Sequence, residues 1–263
     1  MPPFEGDMSL RDSVVFFFNY AISMLNGEYA EVERLEVLAE KSYHAMKAYL
    51  DAAAKANEKF QQSQDRIMAQ IDIFASQNDI TLTEGTSKTT ANLKISNIVY
   101  SYSNQIYLIY FRGALEDNFI VEAINNSDTL LLKLHIDSLT AAYKLGEDEI
   151  KGISAYNRDN SLVLACKKSI AHYKKQATVS LPKILEYYRA EDYFNKVKAK
   201  YDAKSQSEIT QDDVNEYNFA ASRYNNSVNV FNQTIKIINS DIRSNQKQWQ
   251  DAVDKFLKTH IPK

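Results

Sequence analysis

The feature that most constrains the fold of this chain is a seven-residue repeat near its carboxyl terminus. An aromatic or aliphatic residue followed by asparagine recurs at Tyr217-Asn218, Tyr224-Asn225, Phe231-Asn232 and Ile238-Asn239. A second apolar column consists of Val214, Ala221, Val228, Ile235, Ile242 and Trp249. Two apolar columns separated by three and four positions are the a and d positions of a heptad, which face a neighbouring helix. The repeat therefore predicts a long helix at about 211–258, which Thr210 begins as a capping residue.

Glycine and proline are scarce in the whole chain. Only six Gly and four Pro occur among 263 residues. Because both residues mark turns, their scarcity favours a few long helices over many short strands. We therefore predict an all-α fold, an elongated antiparallel helical bundle with long coiled-coil-like helices, formed by a single domain over residues 1–263.

The amino-terminal third predicts two helices. Ser9 begins a sequence with the form of a capping box, so a first helix is expected from there to about Leu25. Asn26-Gly27 is expected to break or cap it. No Gly or Pro occurs over 28–77, and apolar residues recur there at helical spacing, which predicts one uninterrupted helix.

The middle of the chain contains a threonine-rich stretch and a stretch rich in β-branched and aromatic residues. Residues 78–92 are predicted to form a mobile loop between helices, with a short hairpin as the alternative. Ile95–Phe111 resembles a strand in composition, but its apolar residues follow the spacing of a helix face, so a helix is predicted. Further helices are predicted from Ser127 to Leu145, from Asp159 or Ser161 to Ala177, and from Ser180 to Ala203.

Charge and cysteine content exclude several classes of function. The net charge of −3 argues against a nucleic-acid partner, which requires a basic surface. Cys166 is the only cysteine, so we expect a core residue without a disulfide or a thiolate metal site.

The apolar stretch Val14–Leu25 is too short to span a bilayer, so no transmembrane segment is expected. The compartment is left open, and a periplasmic or outer-surface location is expected if an export signal precedes Met1.

No catalytic motif occurs in the chain. There is no phosphate-binding glycine loop, nucleophile elbow or paired-histidine metal motif. The four histidines, His44, His135, His172 and His260, lie far apart in sequence and are interpreted as structural or surface residues. We therefore expect no enzyme activity, no cofactor and no metal.

The asparagine column is the candidate site. Asparagine is a poor helix former, so Asn218, Asn225, Asn232 and Asn239 at one heptad position need an explanation. In one interpretation their amides bond to a neighbouring helix and fix its register. In the other, they line a polar ligand cleft together with Tyr217 and Tyr224, which a protein or glycan partner would occupy.

The Tyr-Asn repeat resembles the LemA family of bacterial helical proteins. That family also carries Tyr-Asn dipeptides along a long carboxyl-terminal helix, and the similarity covers 214–239. The family's usual amino-terminal membrane anchor is not in this sequence. The run 104–111 followed by the repeat is also similar to helical surface lipoproteins of Gram-negative bacteria. These resemblances imply a bacterial, envelope-associated protein without enzyme activity.

Three functional hypotheses follow from the sequence. The first is a non-catalytic helical bundle that binds or scaffolds, and its oligomeric state is left open. The alternative is a membrane-active protein of the pore-forming type, in which Val14–Leu25 would insert. The third, an enzyme with a buried polar site, has no motif in its favour.

Overall fold

The computed structural model describes residues 4–83 and 88–262. Helices make up 86% of these residues and no strand occurs among them, which confirms the predicted all-α helical bundle. The chain divides into two compact units. Unit 1 contains the described residues up to Leu108 and those from Asp254 onward, and unit 2 is Ile109–Val253. The single domain over 1–263 stays a prediction, and the two units are described in turn.

Unit 1 is built around a helical hairpin. Helix α1 (Ser9–Met24) continues through a π turn (Leu25–Tyr29) into α2 (Ala30–Ala39), and α3 (Tyr43–Gln77) runs back along both. The Tyr29 hydroxyl donates to Asn57 Oδ1 over 3.0 Å, and Lys59 Nζ lies 2.5 Å from Glu28 Oε1. These contacts hold the middle of α3 against the π turn.

The predicted helix over 28–77 is wrong in one respect, because the chain reverses at residues 40–42. Ser42 has extended backbone angles, and its hydroxyl accepts the Ala45 N–H over 3.1 Å as the cap of α3. The expected break at Asn26-Gly27 is also wrong, since the π turn carries the helix through both residues.

The amino-terminal cap of α1 also differs from the prediction. Ser9 is the first helical residue and not the cap, and the Asp7 carboxylate accepts the Ser9 N–H over 2.7 Å.

Helix α4 (Lys88–Asn125) contributes residues to both units and confirms the helix predicted for Ile95–Phe111. It begins at residue 88, so the loop predicted for 78–92 is shorter than expected. Residues 78–83 are non-helical, whereas 84–87 lie outside the described residues.

Unit 2 consists of four further helical segments and part of α4. Helix α5 (Thr129–Glu149) ends in a 3₁₀ turn (Ile150–Gly152), and α6 (Ser161–Lys175) passes through a π turn (Gln176–Ser180) into α7 (Leu181–Asp202). Helix α8 (Gln211–His260) follows, with residues in both units. The core of unit 2 contains fully buried side chains that include Ile120, Leu132, Leu139, Leu162, Leu181, Ile184 and Ile238.

Two helix starts in unit 2, those of α5 and α8, have side-chain caps. Asp128, one residue beyond the predicted Ser127, accepts the Leu130 and Leu131 N–H groups at the start of α5. At the start of α8 the Thr210 hydroxyl accepts the Asp213 N–H over 3.2 Å, and the Asp213 carboxylate accepts the Thr210 N–H over 2.8 Å. This reciprocal pair is a capping box, and it explains why α8 begins where the sequence predicts.

Candidate functional site

The aromatic column of the α8 repeat packs against aromatic residues of α7. The ring pairs and their centroid separations are Tyr217–Phe194 at 5.7 Å, Tyr217–Tyr201 at 5.0 Å, Tyr224–Phe194 at 5.3 Å and Phe231–Tyr187 at 4.3 Å. Rings at these separations stabilise a helix pair beyond the apolar area that they bury. Tyr217 and Tyr224 are half-buried packing residues of this pair.

The asparagine column points away from this contact. Asn218, Asn225 and Asn232, called the outward asparagines below, are exposed, and Asn239 is half-buried. Each follows a packed residue by one position, which turns it about 100° around the helix. Within the described chain, no outward asparagine side chain is hydrogen-bonded to a neighbouring helix. The register interpretation therefore lacks the buried contacts that it requires.

A groove of about 430 Å³ lies on the α7–α8 pair, close to the predicted ligand cleft. The groove is lined on α8 by Asn226 and by the exposed Phe219 and Val230. On α7 it is lined by Lys183 and Glu186. The immediate neighbour of Asn225, and not the predicted column, faces this groove.

The aromatic column continues beyond its four repeats to a polar residue. Seven residues after Ile238 the column reaches Asn245, whose side chain is buried. Its Nδ2 donates to the Tyr173 hydroxyl over 3.4 Å, and that hydroxyl donates to the Tyr110 carbonyl over 3.1 Å. Asn245 is therefore a polar residue within the packed face, and the sequence analysis did not consider it.

Asp117 and His172 lie beside this hydrogen-bond chain. His172 Nε2 is 3.2 Å from Asp117 Oδ2 and 2.9 Å from Gln176 Nε2. Asp117 and Gln176 are each 1% exposed. Burial raises the pKa of the Asp117 carboxyl, and the hydrogen bond with His172 opposes that rise. Together, Asp117, His172, Tyr173, Gln176 and Asn245 form the buried polar cluster.

Two oxygens of the buried polar cluster have no hydrogen-bond partner among the described residues, Asp117 Oδ1 and Gln176 Oε1. A buried acceptor without a donor costs about 1–3 kcal/mol. Such a cost is unusual in a site whose only role is packing, so the cluster is a candidate functional site.

Close helix packing places the buried polar cluster. A Cβ built at Gly113 would lie 2.3 Å from the Tyr173 ring, so only glycine lets that ring lie against α4. Asp117 follows Gly113 by one helical turn and therefore faces the same neighbour, α6. Gln176 begins the π turn, a distortion often found at functional sites.

Helix α1 of unit 1 carries two parallel apolar rows. The inner seam, Val14, Phe17, Ala21 and Met24, is buried or half-buried, and Phe17 contacts Phe60 of α3 at a ring separation of 6.2 Å. The outer seam, Val15, Phe18, Ile22 and Leu25, follows the same spacing of three and four residues. Its members are 53%, 60%, 56% and 63% exposed. This part of the chain thus has a second apolar face, and each of its four side chains is more than half exposed.

The remaining candidate residues have structural surroundings. His135 Nδ1 is 2.8 Å from Glu116, and His44 and His260 contact the rings of Tyr43 and Phe256. Cys166 is buried, which confirms its predicted core position, and burial raises its pKa to about 12. In the described ranges no group of three or more His, Cys, Asp or Glu could hold a metal ion.

None of the described helices is both long enough and apolar enough to cross a bilayer.

No protein-family model, curated protein or solved structure matches this chain. The resemblance to the LemA family and to surface lipoproteins therefore stays a prediction.

Proposed function

We propose that this chain is a non-catalytic binding protein that docks an amphipathic helix of a protein partner along the outer seam of α1. The observation that carries the proposal is the exposure of four large apolar side chains in a heptad row. Single exposed apolar residues are normal on soluble proteins, but a contiguous apolar patch is typical of an interaction surface. The family resemblance favours the bacterial cell envelope as the setting.

The spacing of the outer seam indicates what kind of partner fits. Rows separated by three and four residues accept the side chains of a second helix that lies lengthwise. The inner seam of the same helix already packs in this way on α3. A helix of the partner is therefore a better occupant than an extended peptide, which would need a sheet edge.

The exposed area also bounds the strength of docking. Full burial of one such side chain contributes about 1.5–3 kcal/mol, so covering the exposed half of four contributes roughly 3–6 kcal/mol. Association itself costs at least about 4 kcal/mol. The seam alone therefore contributes at most about 2 kcal/mol of net affinity. A measurable complex also needs polar contacts at its rim, where Arg11 pairs with Asp12.

The alternative is a membrane-active protein that uses the same stretch, Val14–Leu25. Surface helices that bind membranes are typically rich in Lys and Arg, which attract anionic lipid. The start of α1 instead carries Asp7 and Asp12, with Arg11 already paired to Asp12. We therefore rank the protein partner first.

The experiment places a photo-crosslinking amino acid at Phe18 in cells that make the protein natively. A matched variant carries it at Ser23, which is exposed on α1 but outside the outer seam. We expect adducts from position 18 only, and mass spectrometry should map them to an amphipathic helical segment of another protein. A synthetic peptide of that segment should bind the parent, and Phe18→Ser with Ile22→Ser should weaken binding at least about tenfold.

Other results would replace the proposal. Adducts with lipid, together with leakage of dye from liposomes, would favour the membrane-active alternative. Adducts with a second copy or with another segment of the same chain would make the outer seam a self-association face. Equal adducts from positions 18 and 23 would mean that the seam is not selective. Because Phe18 and Ile22 are exposed, the variant with both serines should keep the helical content and urea midpoint of the parent.

A further inference from the structure

A second groove, of about 320 Å³, lies between α6 and α8 in unit 2, directly over the buried polar cluster. Its α6 wall carries Lys168, His172 and Lys175, and its α8 wall includes Ser244 and Asn245. Asp241, also in the groove, forms an ion pair with Lys175 over 2.6 Å, so these two charges offset each other. Lys168 has no ion-pair partner in the described part of the chain. The groove therefore has a surplus positive charge.

His172 connects the groove to the buried polar cluster. Its side chain is nine-tenths buried, and Nε2 points inward to Asp117 and Gln176. The other ring nitrogen, Nδ1, makes no hydrogen bond with the described residues. The buried side-chain atoms without a hydrogen-bond partner are Asp117 Oδ1 and Gln176 Oε1 among the described residues. Nδ1 is not one of these buried atoms, so it is accessible to solvent. Nδ1 therefore lies on the groove side of the ring.

The inward contact determines which nitrogen carries hydrogen. An uncompensated Asp117 carboxylate at this depth would cost several kcal/mol, so the Asp117–His172 pair is most stable with no net charge. The Gln176 amide nitrogen is a donor, so His172 Nε2, which it faces over 2.9 Å, is an acceptor. Asp117 is then protonated and donates to the same Nε2. The hydrogen of the neutral ring is therefore on Nδ1, which faces the groove as a donor.

We propose that this groove binds a compact oxyanion, a phosphate or carboxylate group, between His172 Nδ1–H and the Lys168 ammonium. The hydroxyl of Ser244 and the amide of Asn245 line the same groove and add donor groups. Anionic acceptors form the stronger class of hydrogen bond with such donors. The site is independent of the outer seam of α1, and either proposal can fail without the other.

The test follows the His172 ring by nitrogen-15 nuclear magnetic resonance during addition of inorganic phosphate or acetate. The chain has four histidines, so substitution of each one assigns the signals. Sodium chloride at equal ionic strength is the reference for general salt effects. We expect a saturable shift of the Nδ1 signal with phosphate or acetate and none with chloride, and the stronger of the two anions identifies the headgroup.

Two adjacent lysines supply a matched pair of variants. Lys168 lines the groove, whereas Lys167 is exposed on the same helix outside it. Loss of one exposed charge contact should weaken anion affinity about two- to fivefold in Lys168→Gln and leave it unchanged in Lys167→Gln. Both variants should fold normally, because neither side chain is buried. A shift that does not saturate, an equal response to chloride, or equal weakening in the two variants would overturn the proposal.

Discussion

Replacing Gly113 by alanine should destabilise this protein, although the same change stabilises most helices. In the middle of a helix, alanine is favoured over glycine by about 1 kcal/mol. At Gly113, however, the new Cβ would lie between 2.3 and 2.7 Å from three atoms of the Tyr173 ring. The ring is 1% exposed and has no free space to move into, so the two effects have opposite signs.

The size of the effect follows from the contacts of Tyr173. Overpacking of a dense core costs about 1–3 kcal/mol. Displacement of the ring would also break its hydrogen bonds to the Tyr110 carbonyl and to Asn245, each worth about 1 kcal/mol. After subtraction of the gain in helix propensity, Gly113→Ala should lower the free energy of unfolding by about 2–4 kcal/mol.

Urea denaturation monitored by tryptophan fluorescence measures this change, because the fluorescent residue lies in unit 2, as Gly113 does. Trp249 is the only tryptophan, is 4% exposed, and stacks on Tyr110 of unit 2 at a centroid separation of 4.3 Å. Gly152→Ala is the control in the same unit, because a Cβ at Gly152 meets nothing within 4 Å. Its unfolding free energy should stay within about 0.5 kcal/mol of the parent.

The result that would refute this reasoning is a Gly113→Ala protein as stable as the parent or more stable. The Tyr173 ring would then not lie against α4, and the placement of Asp117 beside His172 would lose its support. Equal destabilisation by both glycine variants would also count against it, since only one has a steric cause.

Three further predictions concern α8 and the core of unit 2. Alanine at each outward asparagine should stabilise the protein by roughly half a kcal/mol in thermal melts. The amides are exposed, so helix propensity decides the sign of the stability change. Destabilisation at two of the three sites would restore the register interpretation. Phe231→Ala should cost about 2–3 kcal/mol, less than a fully buried ring, because Phe231 is half-buried against Tyr187. Phe219→Ala, on the exposed side of the same helix, should change stability by less than about 0.5 kcal/mol. Cys166 should react with a thiol reagent much more slowly in the native protein than in urea, by at least about 100-fold at about pH 8. The reason is that burial raises the pKa of the thiol to about 12 and blocks access of the reagent. A fast reaction in the native protein would mean that unit 2 opens readily.

Periodicity predicted most of the helical structure because it reports which face of a segment is buried. The spacing of apolar residues identified Ile95–Phe111 as helix against its strand-like composition, and it located α8 within two residues at each end. It missed the reversal before α3, because Ser42 fits the helical spacing as well as it fits a cap. The tertiary contact of α3 with α1 and α2 decides between the two roles, and no local pattern contains it.

The buried polar cluster was inaccessible to sequence reasoning for a similar reason. Asp117 and His172 are 55 residues apart, on different helices, and no short motif links them. Two signals were nevertheless present. Continuing the aromatic column by one heptad reaches Asn245, and Gly113 interrupts an otherwise strongly helical stretch. An isolated glycine inside a helix usually has a packing reason, and here the reason is Tyr173.

The π turn between α6 and α7 makes this part of the molecule sensitive to chain length. A π turn contains one residue more than the α-helical turn that would replace it. Loss of a single residue within 176–180 would let an ordinary α-helix run through, and every side chain of α7 would rotate by about 100°. Tyr187 and Phe194 would then face away from α8, although neither had been substituted. A deletion at Thr178 should therefore abolish cooperative unfolding of unit 2, whereas Thr178→Ala, a change at an exposed position, should not. Among related chains, we expect this five-residue stretch to vary in residue type before it varies in length.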